Sequence, residues 1–404
     1  MRKFAWTMLL VFSFTIPWEL SLDLGAPVGS IARIAGLVLL LAVVPAVLQA
    51  GQIRTPGSMQ WLVLALLLWS GSSSLWSIDT PATLERLRAY AQVMMTVWLV
   101  WELAESPEDL RNLMRAYVAG SWVLAILTIA DFASPDAAGQ VRFAAEGQDP
   151  NDVARFLDLA FPIAALLLNS ESRWWGRVLA IGYLPLGVAG VLLTASRSGF
   201  LAASIAIAGC GFLLGRSHRR AAVGGGLAMT ALAAVLLFTV PHAIIERIST
   251  IPEQLTSGDL NQRLNIWTAG WRAFVHAPLL GTGAGSFVDA AQLAQIDTAH
   301  NTALALAVEG GLVALALACG IVVVAARCVL LTRGSSRIGL GTALIVLMVT
   351  SLVATVEGNR STWFLLALIS VAGRFATADP AGMWLQFETT KSPARHLKSV
   401  ETTA

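Results

Sequence analysis

The sequence predicts an all-α fold: a polytopic membrane protein of about twelve transmembrane helices, with one long extracytoplasmic loop that bears interfacial helices. Three observations carry this. Of 404 residues, 56% are hydrophobic and only 13% charged, and the mean hydropathy of +0.69 lies far from that of soluble domains. Apolar runs recur at the ~20-residue length that a hydrocarbon core of ~30 Å demands. One polar stretch, Pro241 to Asn301, interrupts them at length. The same composition excludes a disordered chain. A net charge of +2, with basic residues spread between the apolar runs, excludes a nucleic-acid partner.

Taken in order, the predicted spans lie at 4 to 20, 30 to 48, 59 to 77, 89 to 104, 110 to 132, 152 to 168, 176 to 194, 198 to 215, 220 to 240, 301 to 326, 338 to 356 and 361 to 376. Arg2-Lys3 ahead of the first run imitates a secretory leader. No small-residue cleavage site follows, so the run reads as a retained helix. The chain thus divides into transmembrane helices one to nine over 1–240, an extracytoplasmic loop carrying the candidate functional residues over 241–300, helices ten to twelve over 301–378, and a cytoplasmic tail over 379–404. With the N-terminus in the cytoplasm, Lys3, Lys391, Lys398 and most arginines fall inside, and both termini are cytoplasmic. Cys210, Cys319 and Cys328 fall in apolar runs without metal-ligand spacing and read as small buried hydrophobes.

Arginines on the outer side run against this charge bias, and they gather at Arg142, Arg197, Arg263 and Arg360. Arg142 lies in a turn-rich loop leading into the sixth span, which Asn151 or Asp152 is expected to cap; capping leaves the arginine unexplained. Three residues apart within that span, Arg155 and Asp158 read as an internal ion pair. Arg33, Arg86 and Arg88 read as interfacial. Between the seventh and eighth spans, the turn Thr194-Ala195-Ser196-Arg197-Ser198-Gly199 sets an arginine beside a helix start that Ser198 can cap, which makes a phosphate-binding corner. The planar fork of guanidinium matches phosphate oxygens.

From Arg263, the residues Ile266, Trp267, Gly270, Trp271 and Phe274 fall on one helical face, and its two tryptophans suit a helix lying in the membrane interface. Gly281-Thr282-Gly283-Ala284-Gly285 follows no strand and precedes no acidic residue in register, so it reads as a turn and not a dinucleotide fingerprint. His300 opens the tenth span at the outer face, where a neutral imidazole can take a proton from an alcohol. Glu309 lies ~13 Å deeper by helix rise and out of phase with His300. At that depth a carboxylate calls for a partner inside the bundle. The outer loops hold no D-x-D, no paired acidic motif and no histidine pair at metal spacing, so neither a metal nor a cofactor is expected.

Arg142 with Pro150-Asn151, the turn Thr194 to Gly199, Arg263 with Trp267, the run Pro278 to Phe287, and His300-Asn301 with Glu309-Gly310-Gly311 together resemble the O-antigen ligase and polymerase family of bacterial envelope glycosyltransferases. The resemblance spans the first helix to Arg360 and is strongest to the ligases. It implies transfer of a glycan from an undecaprenyl diphosphate carrier to a hydroxyl of lipid A core, on the periplasmic face of the bacterial inner membrane and without a metal. Arg197 and Arg263 would bind the diphosphate and His300 would be the base, with Arg142, Asn301 and Arg360 as further substrate-binding residues. The alternatives are a polymerase, whose acceptor is a second carrier-linked glycan, a protein O-oligosaccharyltransferase, and an anion transporter. A transporter would carry ionisable or broken-helix sites near the bilayer midplane in two corresponding halves.

Overall fold

The computed structural model describes residues 1–25, 29–135, 139–217, 241–256, 258, 262–294 and 297–378. Among them the chain is helical, with a single isolated bridge between Asp23 and Ser30. The helices are α1 (Arg2–Thr15), continued by a 3-10 turn (Ile16–Ser21), α2 (Ile31–Ala50), α3 (Ser58–Ser72), α4 (Thr80–Leu103), α5 (Pro107–Phe132), α6 (Pro150–Ser170), α7 (Trp174–Leu193) and α8 (Arg197–Ser217). After these come α9 (His242–Ser249), α10 (Ile251–Thr256), α11 (Arg263–His276), α12 (Phe287–Ala290), α13 (Thr302–Leu331), α14 (Gly334–Ser351) and α15 (Arg360–Ala378).

Nine of the described helices, α1 with its 3-10 extension, α2, α5 to α8 and α13 to α15, are long and apolar enough to cross a membrane. The chain is an all-α multi-pass membrane protein. Helix α3, at 15 residues, falls short of the usual span length, and α4 carries Glu85, Arg86, Arg88 and Glu102. The expected span at 220 to 240 and the tail from 379 lie outside the described residues.

Helices α6 and α15 are the most enclosed spans, and the others pack around them. Helix α6 touches α5, α7, α8 and α14, while α15 lies against α4 and α13. Start signals in the sequence explain several boundaries. Ser106 caps α5 through a reciprocal box with Asp109. Asp149 caps α6 by accepting from the Asn151 N–H at 2.8 Å, where Asn151 or Asp152 was expected. The reason is Pro150, which occupies the first helical position and leaves the residue before it as the cap. Arg155 pairs with Asp152 at 2.7 Å and not with Asp158, since helical side chains lean toward the N-terminus.

The two ends of the bundle are tied by different polar sets. At one end Arg2 meets Glu102 and Glu105, Arg115 meets Glu108 and Glu171, and Arg374 donates to the carbonyls of Trp101 and Ala104. At the other end lie the loops that hold Arg142, Arg197, Arg263 and His300. That second end is organised around a break in α13. At Gly311 the backbone turns to φ 66°, ψ −165°, and the freed carbonyls are taken up by an inserted loop. Thr282 N–H donates to the Val308 carbonyl and Gly283 N–H to that of Glu309, each at 2.9 Å; Leu312 N–H turns to the Pro278 carbonyl at 2.8 Å. Trp69 Nε1 takes the Gly310 carbonyl at 2.8 Å. A broken helix survives at membrane depth only when its backbone groups are satisfied by protein in this way. Glycine is required at the break, because a Cβ on Gly311 would sit 2.1 Å from the Leu279 carbonyl oxygen at a backbone angle that L-residues avoid.

Candidate functional site

Helix α13 fixes the first part of the site. Asn301 caps it, Oδ1 accepting from the Leu304 N–H at 3.0 Å, and His300 precedes the cap in a left-handed conformation, φ 46°. Trp267 on α11 donates Nε1–H to the Ala299 carbonyl at 3.1 Å, which ties the helix that begins at Arg263 to the backbone next to His300. The face of α11 expected to lie in the membrane interface is largely spent on protein. Ile266 and Ala273 join Phe287, Ala299, Ala305 and Val308 in a small apolar core with Trp267 and Phe274 against it. Only Trp271, 60% exposed, projects away from it.

Glu309 sits one step deeper, 3% exposed. Its carboxylate accepts from the backbone N–H groups of Gly285 and Phe287, and Arg86 on α4 is its charged neighbour. It therefore shapes the inserted loop and is not turned toward His300. Arg86 also pairs with Glu357, in the loop between α14 and α15, at 3.8 Å, so a residue that read as interfacial joins two buried acids.

The second part of the site is built by the starts of α6 and α8. The turn between α7 and α8 is closed by Ala195 at φ 48°. Its cap is Ser196, whose Oγ accepts from Gly199 N–H at 3.2 Å, and not Ser198, because α8 begins at Arg197. Ser196 Oγ also donates to Asn151 Oδ1 at 2.9 Å. Arg142 Nη2 reaches the same oxygen at 2.9 Å, while its Nε donates to the Thr194 carbonyl at 3.2 Å. Asn151 thereby joins loop, α6 and α8. Arg197 and Arg247 clasp each other's backbone: Arg197 Nε donates to the Arg247 carbonyl, and Arg247 Nε to the Ala195 carbonyl, each at 3.1 Å.

Electrostatics join the two parts. Burial pushes the Arg142 guanidinium below its ordinary range; Asp149 opposes this, while Arg247, Arg197 and Arg263 push the same way. Arg247 and Arg263 are likewise lowered, each first by burial. Burial also lowers His300, and Arg263 adds to it, against the pull of Asp149, Asp297 and Asp152. Three arginines and one acid thus act on Arg142, and Arg263 and Asp149 act on both Arg142 and His300. Half-buried like charges raise one another's energy unless an anion neutralises them. The arrangement gathers Arg142, Arg197, Arg247 and Arg263 at one end of the bundle, with His300 held below the ordinary imidazole range beside them.

Residues 182–319 match the family model described as O-antigen ligase. Over that stretch the chain is similar to the O-antigen ligase family. It runs from α7 through α8 and the long loop into α13, and so takes in Arg197, Arg247, Arg263 and His300. Members of the family are glycosyltransferase-like enzymes that act on lipid-linked glycans. No curated protein matches the chain.

Of the residues expected from sequence, Arg142, Arg197, Arg263 and His300 come to one end of the bundle and act on one another as described. Asn301 is engaged as a helix cap. Arg360 stands apart, in an ion pair with the buried Glu19. Sequence reasoning passed over Arg247 and Asp149. The signal for Asp149 was its place before Pro150, the usual cap position; for Arg247, it was a second arginine in the one long polar stretch.

Proposed function

We propose that the protein is an O-antigen ligase that moves a glycan from undecaprenyl diphosphate to a hydroxyl of lipid A core, on the periplasmic face of the inner membrane, by inversion and without a metal. The observation that carries this reading is the gathering of Arg142, Arg197, Arg247 and Arg263 beside His300, within and next to the stretch that matches the ligase family. Fixed guanidinium groups aimed at a diphosphate stabilise the charge that develops as it leaves. The acceptor oxygen forms a bond to the anomeric carbon as the bond from that carbon to the diphosphate oxygen breaks. The hydroxyl proton passes to a ring nitrogen of His300, and undecaprenyl diphosphate departs with the bonding pair. Attack from the face opposite the leaving group inverts the anomeric centre. A pKa held below that of ordinary imidazole keeps the ring neutral, as a base requires.

The test is incubation of the purified protein with carrier-linked glycan and rough lipopolysaccharide, read by gel mobility of the product. A glycan ladder on the lipopolysaccharide is expected. Glycan lengthening on the carrier alone would establish the polymerase instead.

A further inference from the structure

A cavity of about 660 Å³ lies between α1, α2, α4 and α15, apart from the arginine cradle. Its walls are largely apolar, among them Phe12, Leu37, Leu40, Met95 and Leu99, and Arg33, Arg88 and Arg360 border it. From Arg88 to Leu99 the wall descends ~16 Å along α4, about half of a ~30 Å hydrocarbon core. Arg33 stands within the first turn of α2, and α4 begins at the cradle end of the bundle, where Ile78 N–H donates to the Thr282 carbonyl. The cationic mouth therefore sits at the depth of one leaflet's headgroups, above an apolar slot one leaflet deep.

Two of the three charges at that mouth have no charged partner among the described residues. Arg360 is paired with Glu19, but the side chains of Arg33 and Arg88 make no ion pair or hydrogen bond among the described residues. An apolar slot capped by two unmatched guanidinium groups is complementary to an amphiphile with an aliphatic chain and a phosphate.

The position of the slot indicates which amphiphile. Arg360, which borders the cavity, pairs with Glu19 of the 3-10 turn, and Ser21 Oγ of that turn accepts from Gln148 Nε2 at 2.9 Å. Gln148 adjoins Asp149, one of the acids that act on His300. The arginine end of the slot is thus linked through Glu19, Ser21 and Gln148 to the loop that carries Asp149. The cradle has four arginines for the donor's diphosphate, and transfer between two lipid-borne partners requires a second seat.

We propose that the cavity between α1, α2 and α4 seats the acyl anchor of the phosphorylated acceptor lipid, with its phosphate on Arg33 and Arg88. This rests on the ligase reading above and specifies where its acceptor is held.

Two measurements test it. In steady-state transfer, the double variant Arg33→Gln/Arg88→Gln is expected to raise KM for lipid A core by at least about tenfold, with kcat and the donor KM unchanged; Leu40→Trp, which fills the slot without touching a charge, should do the same. A rise in the donor KM instead, or no change in either, would overturn the assignment. Retention of lipid A core by the purified protein, read by native mass spectrometry, needs no turnover and so stands even if the wild type proves to transfer nothing. Loss of retention in both variants supports the seat. Equal retention by wild type and variants, or displacement by phosphatidylglycerol or undecaprenyl phosphate as readily as by lipid A core itself, contradicts it.

Discussion

Arg197 and Arg247 form a pair in which each guanidinium Nε is held by a backbone carbonyl beside the other, which fixes the direction of both planar forks. A lysine keeps the charge but has neither the Nε to lock nor the fork to offer. Arg197→Lys and Arg263→Lys are therefore expected to lower turnover by about 10² or more at normal protein levels. Arg247→Lys should do so as well, by releasing Arg197. Wild-type rates in these three proteins would remove the cradle from the mechanism. Of this site, Arg142, Arg197, Arg263 and His300 were legible in the sequence because outer-side arginines contradict the charge bias of membrane proteins. Arg247 was not, since nothing local distinguishes an arginine that locks a neighbour from one that meets a headgroup. Asn301 read as a binding residue and is engaged as a cap. An asparagine before an apolar run is the commonest cap signal there is, and it outweighs proximity to a histidine.

At the scale of elements, the site stands on the break in α13 and the loop pressed into it. The run Gly281 to Gly285 was legible as a turn, but the sequence did not reveal that it inserts beside Val308 and Glu309, because hydropathy reads a broken helix and a straight one alike. Gly311→Ala would force a Cβ to within 2.1 Å of the Leu279 carbonyl in a left-handed backbone. A loss of more than about 2 kcal/mol is expected, read as lower melting temperature in detergent together with lost transfer; an unchanged melting profile would show that the loop yields. The loop between α14 and α15 carries a second consequence. Burial pushes Glu357 up to about 7, with Arg86 opposing the shift, Glu309 reinforcing it and the Glu357 backbone and Thr302 opposing it more weakly. Because the folded protein holds this proton more tightly than the unfolded chain, the stabilisation it gives is complete below the ordinary carboxyl pKa and is lost as pH rises through about 7. Thermal stability should thus fall between pH 5 and 8, and Glu357→Gln should flatten that slope. A slope that persists in the variant would assign it to another group.

For the whole molecule, the bundle was the most legible feature, since length and hydropathy fix span positions almost without regard to packing. Helices lie at the expected first to eighth and tenth to twelfth positions among the described residues, but nine of them are long and apolar enough to cross a membrane, those at the third and fourth positions not among them, and the fourth begins at Thr80, nine residues ahead of the expected start. What hydropathy could not supply was the role of α4, whose Arg86 lies against Glu357 and Glu309. The predicted orientation is open to a direct check. In a cysteine-free background, Gln140→Cys at the cradle end should react with a membrane-impermeant maleimide in intact spheroplasts, and Gln52→Cys at the opposite end only after permeabilisation. The reverse pattern would place the cradle in the cytoplasm.

The claim that holds the account together is that His300 removes the acceptor's proton while the arginine cradle holds the diphosphate. Single-turnover transfer from carrier-linked glycan to lipid A core, followed across pH in excess chelator, tests it most directly. Wild type should transfer in chelator and lose rate only as pH falls below the ordinary imidazole value of ~6.5, since burial and Arg263 hold the ring's pKa beneath it. His300→Gln, which can hydrogen-bond the hydroxyl but not accept its proton, should be slower by ~10² to 10⁴ with donor binding intact. Equal single-turnover rates for wild type and His300→Gln, or a wild-type rate abolished by chelator and restored by a divalent ion, would contradict it.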